Sequence, residues 1–198
     1  MYINTVGVEV AEEEHDFQEM LLDEGSTYQD DVTSILLDSR LVQAARAEEW
    51  SEIGKKGIYT KVPIAACWHV GGKKPIRVRF VDVNKGDETN PIYRSRLVAQ
   101  EFRDGTPSLF AATPPLEALK TLFSLAVAGR GRRQIGFIDT KTAHLYAKAT
   151  RHVYIKLFPG DEQEGMCGKL NYTLYGIRDA AHSWEREYTN TLVDMVFK

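Results

Sequence analysis

The sequence predicts an α+β fold, an antiparallel sheet with packed helices and a β-hairpin, and three observations carry that prediction. Short runs rich in β-branched and aromatic residues read as strands. Longer segments with apolar residues at helical spacing read as helices. Between two of the strand-like runs lies Asn84-Lys-Gly-Asp-Glu-Thr-Asn-Pro91, a dense turn signal that predicts a hairpin over about residues 75–100. With 198 residues and 43% hydrophobic content, the chain can bury one sizeable core, or one core and a small lobe.

Taken in order, residues 1–37 hold ten acidic side chains and no Lys or Arg, and read as a weakly ordered acidic leader. The rest holds 18 acidic against 25 basic side chains, a net of +7. A basic body suits a phosphate-binding surface, although a modest lysine excess on an ordinary surface accounts for it equally well. Asp38-Ser39 caps a helix over Arg40–Lys55, with Leu41, Ala45, Trp50 and Ile53 on one face and Gly54 and Gly57 at its end. Strand-like runs follow at Ile58–Val62, Ala65–Val70, Pro75–Val83 and Ile92–Ala99.

Thr113-Pro-Pro opens a second helix that runs to Ala128 and, by its apolar spacing, is expected to be buried. The run Gln134-Ile-Gly-Phe-Ile-Asp139 reads as a buried strand closing on a carboxylate, a rigid place from which to hold a metal. Val153–Leu157 and Gly168–Tyr175 read as a second hairpin, and a last helix spans about Ala180–Phe197.

Several function classes drop out. Cys67 and Cys167 have neither zinc-ligand spacing nor a disulfide framework around them, so an intracellular, cytoplasmic setting is expected. No signal peptide or membrane-length apolar stretch appears, and no membrane partner is expected. Gly129-Arg-Gly-Arg-Arg-Gln134 lacks the third glycine of a dinucleotide fingerprint, and Gly71-Gly-Lys-Lys74 lacks the Ser or Thr of a P-loop.

The succession Tyr93-Arg-Ser-Arg-Leu-Val-Ala99, Phe110-Ala-Ala-Thr-Pro-Pro115, Ile138-Asp-Thr-Lys-Thr-Ala143, Val153-Tyr-Ile and Lys169-Leu-Asn-Tyr-Thr-Leu-Tyr-Gly-Ile-Arg-Asp-Ala-Ala181 with Trp184 resembles the reverse transcriptase of copia-type retrotransposons. The resemblance runs in order from about residue 40 to 198. It implies a polymerase fingers and palm fragment, with a helix and fingers-like region over 38–133 carrying the hairpin and a partial palm over 134–198.

That resemblance implies a set of roles. Asp139 stands at the first palm carboxylate, a catalytic residue and ligand of Mg2+. Arg79 and Arg96 stand where cations of the fingers ribbon face an incoming deoxynucleoside triphosphate. His144 falls at the position of an aromatic plate under the incoming sugar, and Asp179 where many members have Gln. Apart from the resemblance, Arg151 and Lys156, interleaved with Tyr154, suit contact with a template backbone, and an ordinary amphipathic strand accounts for the pattern at least as well. The partners implied are an RNA template, a DNA primer, deoxynucleoside triphosphates and the remainder of the polymerase or a larger polyprotein. The family's Tyr-x-Asp-Asp motif has no counterpart after Asp139. Tyr28-Gln-Asp-Asp31 spells it in the leader, ahead of Asp139, and reads there as linker. The chain alone is therefore expected to be inactive. A non-catalytic nucleic-acid-binding module and an inert mobile-element remnant are the alternatives that the residues leave open.

Overall fold

The computed structural model describes residues 27–102, 114–128, 135–136 and 139–196. Among the described residues the secondary structure is α+β, with three small antiparallel sheets and four α-helices.

Residues 28–37, the end of the acidic leader, form a small hairpin of strands β1 (Tyr28–Gln29) and β2 (Leu36–Leu37). Helix α1 (Ser39–Lys56) begins where the sequence places it. The Asp38 side chain accepts from the N–H groups of Arg40 at 2.9 Å and Leu41 at 3.1 Å, satisfying two orphan donors of the first turn. Gly57 takes the left-handed conformation at the other end, and the Ile58 N–H closes back on the Ile53 carbonyl at 3.3 Å. The buried face differs from the expected one. Val42, Glu49 and Ile53 are buried, whereas Leu41 is exposed.

Strand β3 (Tyr59–Pro63) follows, but Ala65–Val70, expected as a strand, lies in helix α2 (Ile64–Gly71). An apolar run of this length fits either element. Here Pro63 sits at the start and Gly72, in the left-handed conformation, donates its N–H to the Trp68 carbonyl.

The predicted hairpin comprises β4 (Val78–Asn84) and β5 (Tyr93–Ala99), paired from Val78 with Ala99 to Asn84 with Tyr93. Its turn is held by two side chains. Asn84 Oδ1 accepts from Gly86 N at 3.0 Å and Ile92 N at 2.9 Å, and Asp87 Oδ1 accepts from Thr89 N and Asn90 N. A Cβ at Gly86 would lie 2.0 Å from the Asn90 carbonyl oxygen, so only glycine fits there.

A third sheet has the order β3-β7-β6, with β6 (Tyr154–Ile155) and β7 (Met166–Leu170) forming the second predicted hairpin in shortened form. The main hairpin is tied to this sheet twice. Ile76 exchanges backbone hydrogen bonds with Tyr154 and Lys156, and the Ala99 N–H donates to the Tyr175 carbonyl at 2.8 Å. Phe80, Leu97 and Ala99 thereby join Ile53, Ile58, Val153, Ile155 and Leu174 in one core.

Helix α3 (Leu116–Ala128) forms at the predicted place but is not buried: none of its residues is, and Leu116 and Leu122 stay exposed. Apolar spacing makes a face without supplying what covers it. Of the strand expected over Gln134–Asp139, only Ile135, Gly136 and Asp139 are described, and all three are irregular. Helix α4 (Ala180–Val196) closes the described chain, its first turn packed near a 3₁₀ turn at Ala143–Tyr146. No described helix is long and apolar enough to cross a membrane.

Candidate functional site

Asp139 is exposed and lines a groove of about 570 Å³. Three parts of the fold contribute to it: Glu48, Glu49 and Glu52 from α1, Arg94 and Arg96 from β5, and the segment from Asp139 to Thr142. Strand geometry sets the arginines. Ser95, Leu97 and Ala99 are buried, so the alternate residues Arg94 and Arg96 stand on the other face of the ribbon. The guanidinium of Arg96 lies over the Tyr175 ring at 4.3 Å from its centroid.

Tyr175 is itself buried, and burial together with the charge of Glu49 pushes its phenol up to about 12. Glu49 runs along the edge of β5, where its carboxylate accepts from the Leu97 N–H at 3.4 Å. Burial raises its pKa, partly opposed by that hydrogen bond and by Arg94. The groove's ionic lining balances: Lys85, Arg94, Arg96 and Lys141 meet Glu48, Glu49, Glu52 and Asp139.

Arg79 shares a ribbon face with Arg96 by register but does not line this groove. Its guanidinium donates to Asp31 at 2.7 Å. The leader explains why. Asp31 also accepts from the Asp82 N–H at 2.9 Å, and Asp30 accepts from Asn84, Val32 and Thr33 N–H groups. These backbone donors hold the Asp30 carboxyl down at about 2. Tyr28-Gln-Asp-Asp31 is thus neither loose linker nor a ligand pair. Both carboxylates are committed to the open edge of β4.

His144 is half-buried, with its ring edge-on to Tyr175 at 5.0 Å between centroids and its Nδ1 without a hydrogen-bond partner among the described residues. Burial lowers its pKa, which favours the neutral ring, and it does not line the Asp139 groove. Arg151 reaches inward. It donates to Asp179 Oδ1 through Nε at 3.0 Å and Nη2 at 2.9 Å, and to Glu101 at 2.6 Å. Burial works to raise the Asp179 pKa, but Arg151 and the Thr150 hydroxyl outweigh it and hold the carboxyl below its ordinary value. Lys156 is exposed and pairs with Glu162 at 3.2 Å.

The structure therefore brings Asp139 and Arg96 together, and leaves Arg79, His144, Arg151 and Lys156 elsewhere. Arg94 is not among the expected site residues, although it lies two residues from Arg96 and alternation alone puts both on one face.

Magnesium needs several oxygen ligands. Among the described residues no group of three or more His, Cys, Asp or Glu side chains could hold a metal ion. Glu48 is paired with Lys141 at 2.6 Å, Glu49 with the Leu97 N–H and Glu52 with Lys55 at 3.6 Å, which leaves Asp139 as a single carboxylate. This donor set does not fit a magnesium site.

Comparison with known proteins converges on one family. Residues 68–198 match the family model described as reverse transcriptase (RNA-dependent DNA polymerase). Over 162 residues, 77% of this chain, the sequence is 25% identical to the retrovirus-related Pol polyprotein from transposon TNT 1-94 of Nicotiana tabacum. The match spans only 12% of that polyprotein's length. No solved structure matches the chain.

Proposed function

Because this chain belongs to the reverse transcriptase family of copia-type retrotransposons, we propose that it supplies the fingers ribbon and the first part of the palm of an RNA-directed DNA polymerase. The observation that carries the proposal is the shared groove of Asp139 and Arg96. An arginine fixed on a paired strand and stacked on a buried tyrosine offers planar, bidentate donors to phosphate oxygens at little ordering cost. Arg94 adds a second cation on the same face. In this reading the ligand of the groove is a deoxynucleoside triphosphate, and the longer partners are an RNA template and a DNA primer.

Among the described residues of the groove, Glu48, Glu49 and Glu52 each have a partner and Asp139 is the acidic residue left over, which marks where the reacting end of a primer would lie. The family uses a divalent metal. The companion carboxylates such an ion needs are not among the described residues, and by itself the chain is proposed to be inactive in synthesis.

Titration of the chain with dTTP, followed calorimetrically, tests the proposal. Arg96→Ala is expected to weaken binding roughly tenfold, the loss of a charge-assisted hydrogen bond. Arg79→Ala, whose side chain is held by Asp31, is expected to leave binding nearly unchanged. Equal losses for the two, or a loss confined to Arg79→Ala, would remove the Asp139 groove as the triphosphate site.

A further inference from the structure

Cys67 and Cys167 lie a hundred residues apart in the chain, yet the fold brings them into one small cluster. Separate from the main core, Cys67, Tyr154 and Cys167 are buried together, with Val62 and Ala66 packed against them. Strand pairing explains the meeting. β3 and β7 run antiparallel, with Val62 opposite Cys167 and Pro63 opposite Met166. The chain then passes straight from β3 into α2, whose Ile64 N–H donates to the Gly165 carbonyl at 2.8 Å. Cys67 follows three residues later, about one helical turn, and is the buried residue of α2.

Both cysteines are free thiols. Among the described residues no third His, Cys, Asp or Glu joins them to make a metal site. Burial raises both thiol pKa values, and the charge of Cys67 adds to the rise at Cys167, as it does between near neighbours. Such thiols stay protonated near neutral pH and oxidise slowly. The two differ in access. Cys67 lines a groove of about 1020 Å³ together with Lys73 and Tyr154, whereas Cys167 is fully buried and does not line it. A small oxidant entering this groove meets Cys67 first.

We infer that Cys67 and Cys167 form a modification site, a dithiol that a peroxide converts into a disulfide between α2 and β7. The Cys67 thiolate attacks a peroxide oxygen, the O–O bond breaks, and the sulfur becomes a sulfenic acid as water leaves with a proton. The Cys167 thiolate then attacks that sulfur, the S–S bond forms, and the hydroxyl leaves as a second water. Two thiols have lost two hydrogens and two electrons, and one hydrogen peroxide has become two waters. The bond closes a long loop of chain, and it removes the proton that Cys67 Sγ donates to the Lys73 carbonyl at 3.0 Å. This inference goes beyond the polymerase reading and requires neither Asp139 nor a nucleotide.

Treatment of the full chain with hydrogen peroxide, then alkylation and tryptic mapping without reduction, tests it. The expected product joins residues 62–73 to residues 157–169, lighter by two hydrogens than the separate peptides, in a chain that still runs as a monomer. In a glutathione buffer of fixed ratio, the disulfide-to-dithiol ratio should be roughly tenfold or more higher for the folded chain than in urea, because the fold holds the thiols together. Cys167→Ala should stop at the sulfenic acid and take up dimedone at Cys67, and Cys67→Ala should give no dimedone adduct at Cys167. Two free thiols after peroxide treatment, cross-links between chains only, or a disulfide ratio no higher folded than in urea would each overturn the inference. The first and last of these are read on the parent chain and do not depend on either variant folding.

Discussion

Arg96 of the hairpin rests its guanidinium on the ring of Tyr175, 4.3 Å from the centroid, and so joins two distant sequence motifs in one contact. Tyr175 also carries the edge of His144 at 5.0 Å, and its carbonyl accepts from Ala99 N. The tyrosine is therefore the strut that sets the height of the ribbon over the Asp139 groove. Tyr175→Leu should keep the core filled but remove the cation's platform, at about 1 kcal/mol of stability. It should also weaken dTTP binding several-fold, which chemical denaturation and calorimetry together would show.

The residue after that tyrosine has no substitute. Gly176 holds φ +78°, and a Cβ there would lie 2.0 Å from the Ala99 carbonyl oxygen. Gly176→Ala should cost about 3 kcal/mol or more, because backbone rather than a pliable side chain must move. A urea midpoint close to that of the parent chain would contradict this packing.

Arg151 and Asp179 form a partly buried pair, with Glu101 as a second acceptor. Asp179→Ala should destabilise the chain by about 2–3 kcal/mol, below the full cost of breaking a buried pair because Arg151 stays one-third exposed. Its depressed folded pKa fixes the pH sign. The stabilisation is complete above the unfolded carboxyl value, near 3.8, and is lost as pH falls through the lower folded value. Acid unfolding curves of parent and variant should converge there.

Glu49 gives the opposite sign. Its pKa is raised by burial, so its ionisation destabilises the fold as pH rises from the ordinary carboxyl value through the higher folded one. Glu49→Gln keeps an acceptor for the Leu97 N–H and removes the buried charge. The variant should match or exceed the parent's stability at neutral pH and lose that downward slope, as thermal melts across pH 4 to 8 would show.

The acidic leader has a structural task in this fold. Asp31→Ala should leave the Asp82 N–H and Arg79 without their partner, costing about 1–2 kcal/mol. Hydrogen exchange at Asp82 and Asn84 should accelerate, and unchanged protection there would show that the leader does not seal the strand edge.

Local chemistry made much of the fold legible. Asp38 and Gly57 bracket α1, and the Asn84 and Asp87 turn fixes the hairpin, because each acts within a few residues of itself. What was not legible depends on partners far along the chain. Arg79 reads as a free fingers cation until Asp31, 48 residues away, is seen to hold it. Arg151 reads as a surface cation until Glu101 and Asp179 close on it. Tyr28-Gln-Asp-Asp31 reads as linker because nothing in its own letters names the edge of β4. The apolar stripe of α3 predicts a face, and no local signal tells whether that face is covered. At the candidate site the motifs name Asp139 and Arg96 only as candidates, whereas the Tyr175 platform beneath Arg96 required the fold.

The most direct test of the central claim is primer extension on an RNA template by this chain supplied in trans with the remainder of a copia-type polymerase. Asp139→Asn should abolish synthesis while leaving the thermal melt unchanged, since the carboxylate is exposed. Synthesis that survives Asp139→Asn at the parent rate would contradict the assignment of this groove.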